Sequence, residues 1–120
     1  MPAFPSVFPL WWIALTAIIA GSIGFIVLHL RFKELPIRER ALAALIVALS
    51  VLAWRASANI PQFNDDPIAP LSPNDWLCPI ITYVCLGVYA AFRSPADPAR
   101  WAQARALLTI VAFVANVLII

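Results

Sequence analysis

The stretch LWWIALTAIIAGSIGFIVLHL, residues 10–30, decides the fold class. Its 21 residues carry no charge. At about 1.5 Å rise per residue they cover the ~30 Å hydrocarbon core of a bilayer. Both faces of the stretch are apolar, which argues against the alternating pattern of a barrel strand. No Lys or Arg precedes it, and it is longer than the roughly 7–15 residues of a secretory h-region. It therefore reads as a retained span rather than a cleaved signal.

Three further apolar segments follow. Residues 41–60 are broken only by Arg55, residues 76–92 carry no charge, and residues 101–120 hold Arg105 near their start. Long side chains such as Arg105 can snorkel to the interface, so each segment can still span. Composition agrees. The 120 residues are 63% apolar and 12% charged, against roughly 25% charged in a soluble domain. The expected fold is an all-α polytopic transmembrane bundle of four spans, arranged as two helical hairpins. The spans fall at about 10–30, 38–58, 74–92 and 99–120 within one membrane domain covering residues 1–120.

Proline marks where the helices begin. Pro9, Pro36, Pro73 and Pro98 each stand ahead of an apolar run, and the first helical turn tolerates a missing N–H. Asp97 is a candidate N-cap, and Ser72 with Asp75 resembles a capping box. Pro79 falls inside the third helix, where it is expected to kink the helix or delay its start.

Charge placement predicts orientation. Arg31, Lys33, Arg38 and Arg40 lie between spans one and two; Arg93, Arg100 and Arg105 lie between or just inside spans three and four. These are seven of the eight basic residues, and the positive-inside rule places both segments in the cytoplasm. Both termini are then non-cytoplasmic, with the cell membrane as the site. Trp11, Trp12, Trp54 and Trp76 gather at the expected outer interface and Trp101 at the inner one, as aromatic belts do. Arg31, Lys33, Arg38, Arg40, Arg93 and Arg100 are the expected contacts to lipid headgroups.

The chemistry of the spans is sparse. His29, the only histidine, reads as an interfacial ring. Cys78 and Cys85 stand seven apart, too far to bond each other in one regular helix. Arg55 reads as a side chain that snorkels outward to meet Asp65, Asp66 or Asp75. No phosphate-binding glycine loop and no convergent Ser/His/Asp set exist. No enzyme activity, cofactor or metal is expected, and the two divided basic segments make nucleic acid an implausible partner.

Small residues point to association in lipid. Ala17 with Gly21, Ala20 with Gly24, and Ala44 with Ala48 form small-xxx-small pairs, and Asn116 can fix the orientation of the last helix. The segment at 59–72 holds Phe63, Asp65 and Asp66, the expected contacts of an outer loop. The expected partners are membrane lipids and other membrane subunits, or a second copy. The first functional expectation is a small accessory or assembly subunit. A holin-type oligomeric pore is the alternative, although no polar helix face exists to line a wide hole. A small dimeric transporter or channel is the third, without the mid-span acid that proton coupling usually needs.

Overall fold

The computed structural model describes residues 8–60, 62 and 72–119. Among them are four long helices: α1 (Leu10–Arg31), α2 (Ile37–Ser57), α3 (Pro73–Phe92) and α4 (Pro98–Ile119). Each lies on one of the four apolar segments. Three of them, α1, α3 and α4, are long and apolar enough to cross a membrane, which is compatible with a multi-pass membrane protein. Helix α2 is different. Arg38, Glu39 and Arg40 occupy its first turn and Arg55 its last. The charge-free part, residues 41–54, is 14 residues long, about 21 Å.

Local chemistry sets the helix ends. Pro9 and Pro36 sit in the extended conformation just ahead of α1 and α2. At the start of α3 the Asp75 carboxylate accepts the Ser72 N–H at 2.8 Å, the reciprocal half of a capping box. Asp97 caps α4, its Oδ1 accepting the Arg100 N–H at 3.2 Å. Helix α3 runs unbroken through Pro79, so the proline does not delay its start.

The helices pack in ring order. Helix α1 rests on α2 and α4, α2 on α3, and α3 on α4, with a smaller direct contact between α2 and α4. Neighbours run antiparallel. Phe8 and Asn59 exchange two hydrogen bonds, Phe8 N–H to Asn59 Oδ1 at 2.9 Å and Asn59 Nδ2 to Phe8 O at 2.6 Å. These join the start of α1 to the end of α2. Trp54 Nε1 donates to Asn74 Oδ1 at 3.0 Å, joining the end of α2 to the start of α3. Arg100 Nη2 donates to the Arg31 carbonyl at 2.8 Å, joining the start of α4 to the end of α1. The connections 32–36 and 93–97 therefore share one end of the bundle, called here the basic end.

The interior is built from small and branched side chains. Ala17, Ala20, Val47, Val51, Leu108 and Ala112 are all buried. The periphery carries large apolar residues such as Ile18, Ile26, Leu49, Ile80, Val88 and Ile110. In water that surface would be a liability; in lipid it is the expected exterior. Gly21 sets the closest approach. A Cβ there would stand 2.9 Å from the Ala48 methyl and 3.1 Å from the Ala44 carbonyl. Gly24 faces the other way, toward Leu108 of α4.

Candidate functional site

The two arginines of the apolar segments, Arg55 and Arg105, both pack against a neighbouring helix. Arg55 is 1% exposed, and its Nη1 stands 3.5 Å from Asp75 Oδ1, itself in a buried residue. That separation is longer than a hydrogen bond. Both terminal nitrogens of Arg55 and Oδ1 of Asp75 lack a hydrogen-bond partner among the described residues. Arg55 also lies 5.7 Å from the centroid of the Phe8 ring. The sequence predicts an outward-reaching side chain paired with Asp65, Asp66 or Asp75. Asp75 is the counter-ion, but the bundle covers the pair rather than leaving it at the surface. The charge interrupts the apolar run of α2, yet it is shielded within the protein.

The same end of the bundle holds a hydrogen-bonded set around Asn74. Its Oδ1 accepts from Trp54, and its Nδ2 donates to the Ala58 carbonyl at 2.9 Å. One turn further in, Ser50 Oγ and Thr82 Oγ1 bond at 2.7 Å across the α2–α3 contact. These contacts fix how α2 and α3 face one another. Asn116 is fully buried, but its Nδ2 donates within its own helix, to Ala112 O at 2.7 Å. Its Oδ1 has no hydrogen-bond partner among the described residues.

Arg105 behaves differently again. It crosses from α4 to α3, where its Nε donates to the Tyr83 carbonyl at 2.8 Å. Its guanidinium lies 3.5 Å from the centroid of the Tyr83 ring and fills the space that a Cβ on Gly87 would take. Arg105 is half-buried and Tyr83 is exposed. The charge therefore lies on the outer seam between α3 and α4, inside the helix ends.

At the basic end a clasp joins the two connections. Arg100 pairs with Glu34 through Nε, donates to Gln103 and the Arg31 carbonyl, and covers the Phe32 ring at 4.3 Å. Glu39 Oε2 accepts the Ala96 N–H at 3.1 Å. Hydrogen bonding to the backbone, with help from Arg100, holds the Glu34 carboxyl below its ordinary pKa. Arg40 donates to the Leu35 carbonyl and reaches His29 Nδ1 at 3.0 Å. So of the six basic residues expected at lipid headgroups, Arg31, Lys33, Arg38 and Arg93 have exposed side chains. Arg40 and Arg100 are engaged within the protein.

The small residues expected at helix contacts lie as follows. Ala17, Gly21, Gly24 and Ala44 are buried, and Ala48 is half-buried. Gly21, Ala44 and Ala48 also floor an open groove of about 520 Å³ between α1 and α2, with Ile18, Phe25 and Leu45 on its walls. Phe63, Asp65 and Asp66 lie outside the described residues. Cys78 is buried, Cys85 half-buried, and both are free thiols. Among the described residues no three His, Cys, Asp or Glu side chains gather as a metal site.

No protein-family model matches the chain, nor does any curated protein or solved structure.

Proposed function

We propose that the chain is a non-catalytic integral membrane protein that works by helix association, as a small accessory or assembly subunit of a larger membrane complex. The observation that carries this reading is the open groove between α1 and α2, floored by small side chains and walled by apolar ones. Such a surface lets another helix approach closely, and packing is what drives association in lipid. The polar side chains of the helix interiors support it from the other direction: Ser50, Thr82, Asn74 and Asn116 are buried. Gentle extraction followed by native mass spectrometry tests the reading. Other gene products are expected in the particle, and Ala41→Phe, which fills the groove from an exposed position, is expected to release them. A particle holding only copies of this chain would overturn it and favour a pore or a transporter.

The transporter reading has one observation in its favour, the buried Arg55–Asp75 pair, since ionisable groups inside spans mark ion pathways in many carriers. It ranks second because Asp75 lies in the first turn of α3 rather than at mid-span.

The same proposal takes α2 as a fourth span, completing two hairpins. The charge that shortens its apolar run is Arg55, and a charge covered by protein does not face lipid. Orientation follows from the seven basic residues in or next to the two connections at one end. In a background lacking Cys78 and Cys85, single cysteines at Lys33 and Ser94 are expected to react with a membrane-impermeant reagent only after the cytoplasmic face is opened. A cysteine at Asn59 is expected to react in intact cells. Labelling at positions 33 and 59 from the same side would remove α2 from the list of spans, and labelling at 59 and 94 from the same side would remove α3.

A further inference from the structure

We propose that the outer seam between α3 and α4 docks a transmembrane helix of a different protein, and that this helix carries a carboxylate which pairs with Arg105. The inference rests on the association reading above and names the chemistry of the partner.

Depth comes first. Arg105 is seven residues beyond Pro98, the start of α4, and Gly87 is five residues short of Phe92, the end of α3. The guanidinium is thus about 7–10 Å inside the helix ends. A cation at that depth is costly unless it meets a partner. Snorkelling would lower the cost, but this side chain is held in place instead. The Tyr83 carbonyl and ring and the bare backbone of Gly87 form a notch that fits it.

Charge comes second. Each of the four acids among the described residues is occupied elsewhere. Asp75 faces Arg55, Glu34 pairs with Arg100, Glu39 accepts the Ala96 N–H, and Asp97 caps α4. The two ion pairs found among the described residues leave Arg105 without a carboxylate. A second copy of the chain has no acid to offer at this depth among the described residues, because Glu34, Glu39, Asp75 and Asp97 all lie at or next to helix ends rather than near the level of Gly87. The counter-ion must come from a different chain.

Shape comes third. Continuing along the same seam toward the opposite end, a groove of about 270 Å³ is lined by Trp76, Ile80, Thr109, Ile110 and Phe113. Thr109 is one turn from Arg105 and donates to its carbonyl at 2.8 Å. A docked helix would lay apolar side chains into this groove and bring its acid to Arg105. A phosphate headgroup fits less well. It stays outside the hydrocarbon, and the exposed Arg31, Lys33, Arg38 and Arg93 already meet it at the basic end.

The test uses the full chain reconstituted in phosphatidylcholine vesicles with a synthetic Leu/Ala-rich transmembrane helix. The helix carries one Glu about six residues from its end, and energy transfer between labels reports association. The Glu helix is expected to associate, and its Gln counterpart to bind roughly tenfold or more weakly. Arg105→Gln should bring the Glu helix down to the same level, while Arg105→Lys should keep most of the association. The Glu/Gln comparison on the unaltered chain holds even if a variant misfolds. Equal binding of the two helices, or none by either, overturns the proposal. So does an Arg105-dependent phosphatidylglycerol adduct in native mass spectra that displaces the Glu helix, since the seam would then be a headgroup site. Composition of the native particle separates this from the parent reading. Other gene products retained by Arg105→Gln, with no preference for Glu in vesicles, would leave association standing and remove the charge pair.

Discussion

Replacing Asp75 with alanine is expected to destabilise the bundle by about 3–5 kcal/mol, the range seen when one partner of a buried ion pair is removed. Arg55 is the reason. Its guanidinium is 1% exposed and has Asp75 as its only ion-pair partner among the described residues. Asp75 also caps α3 through the Ser72 N–H, and losing a cap costs about 0.5–2 kcal/mol. Asp75→Asn separates the two contributions. It can keep the cap while removing the charge, so it should retain only the smaller part of the stability. The double change Arg55→Met with Asp75→Leu should recover most of what Asp75→Ala loses, because a pair of apolar residues of similar volume often matches a buried ion pair. Denaturant titration of the four proteins in one detergent is the measurement. A double variant no more stable than Asp75→Ala would show that the charges are not what binds these helices.

The second large effect is expected at Gly21. Alanine is intrinsically the better helix former by about 1 kcal/mol, yet Gly21→Ala should destabilise by about 1–3 kcal/mol, the usual range for overpacking. The added methyl would press on the Ala48 methyl and the Ala44 backbone, neither of which can swing aside. Gly24→Ala meets the end of the Leu108 side chain at 3.1 Å and, at ordinary contact distance, a Val47 methyl 4.0 Å away, and should have the smaller effect. Pairing Gly21→Ala with Ala48→Gly should restore stability by reopening the space. The same titration reads all three variants against the parent. Gly21→Ala as stable as the parent would mean that α1 and α2 can separate freely.

These two sites differ in how far the sequence disclosed them. Gly21 and Ala48 stand out because small residues four apart repeat on α1 and α2, and spacing alone reveals a face. Which neighbour meets that face is a property of the assembled bundle: Gly21 meets α2, whereas Gly24, three residues on, has Leu108 of α4 as its nearest neighbour and Val47 of α2 further off. The helix positions were legible for a stronger reason. Charge-free runs and the prolines before them act locally, within one turn of the residues they govern. For Arg55 the sequence offers Asp75 among three candidate partners but does not disclose that the side chain turns inward, because its surroundings are not local. An arginine one turn from a helix end looks the same whether it reaches solvent or turns inward. The partner that decides the matter, Asp75, is 20 positions away on the next helix. Arg105 is the same case, since its resting place depends on a glycine in α3. The Asn116 amide nitrogen donates within α4, a choice that any helical asparagine has open to it, and its side chain also meets that of Cys78 in α3.

The clasp at the basic end ties residues made early in synthesis to residues made late. Glu34 and Arg100 are 66 positions apart, Arg31 and Arg100 are 69, and Glu39 and Ala96 are 57. In the proposed four-span topology, a growing chain delivers α1 and α2 to the bilayer while the groups they will bind are still unmade. The Arg31 carbonyl and the Glu34 carboxylate would then wait in headgroup water until Arg100 emerges. Closure of this end is then a late step of biogenesis, and one that proofreads topology. Only a chain whose two short connections came to rest on the same side of the bilayer can bring Arg100 to Glu34.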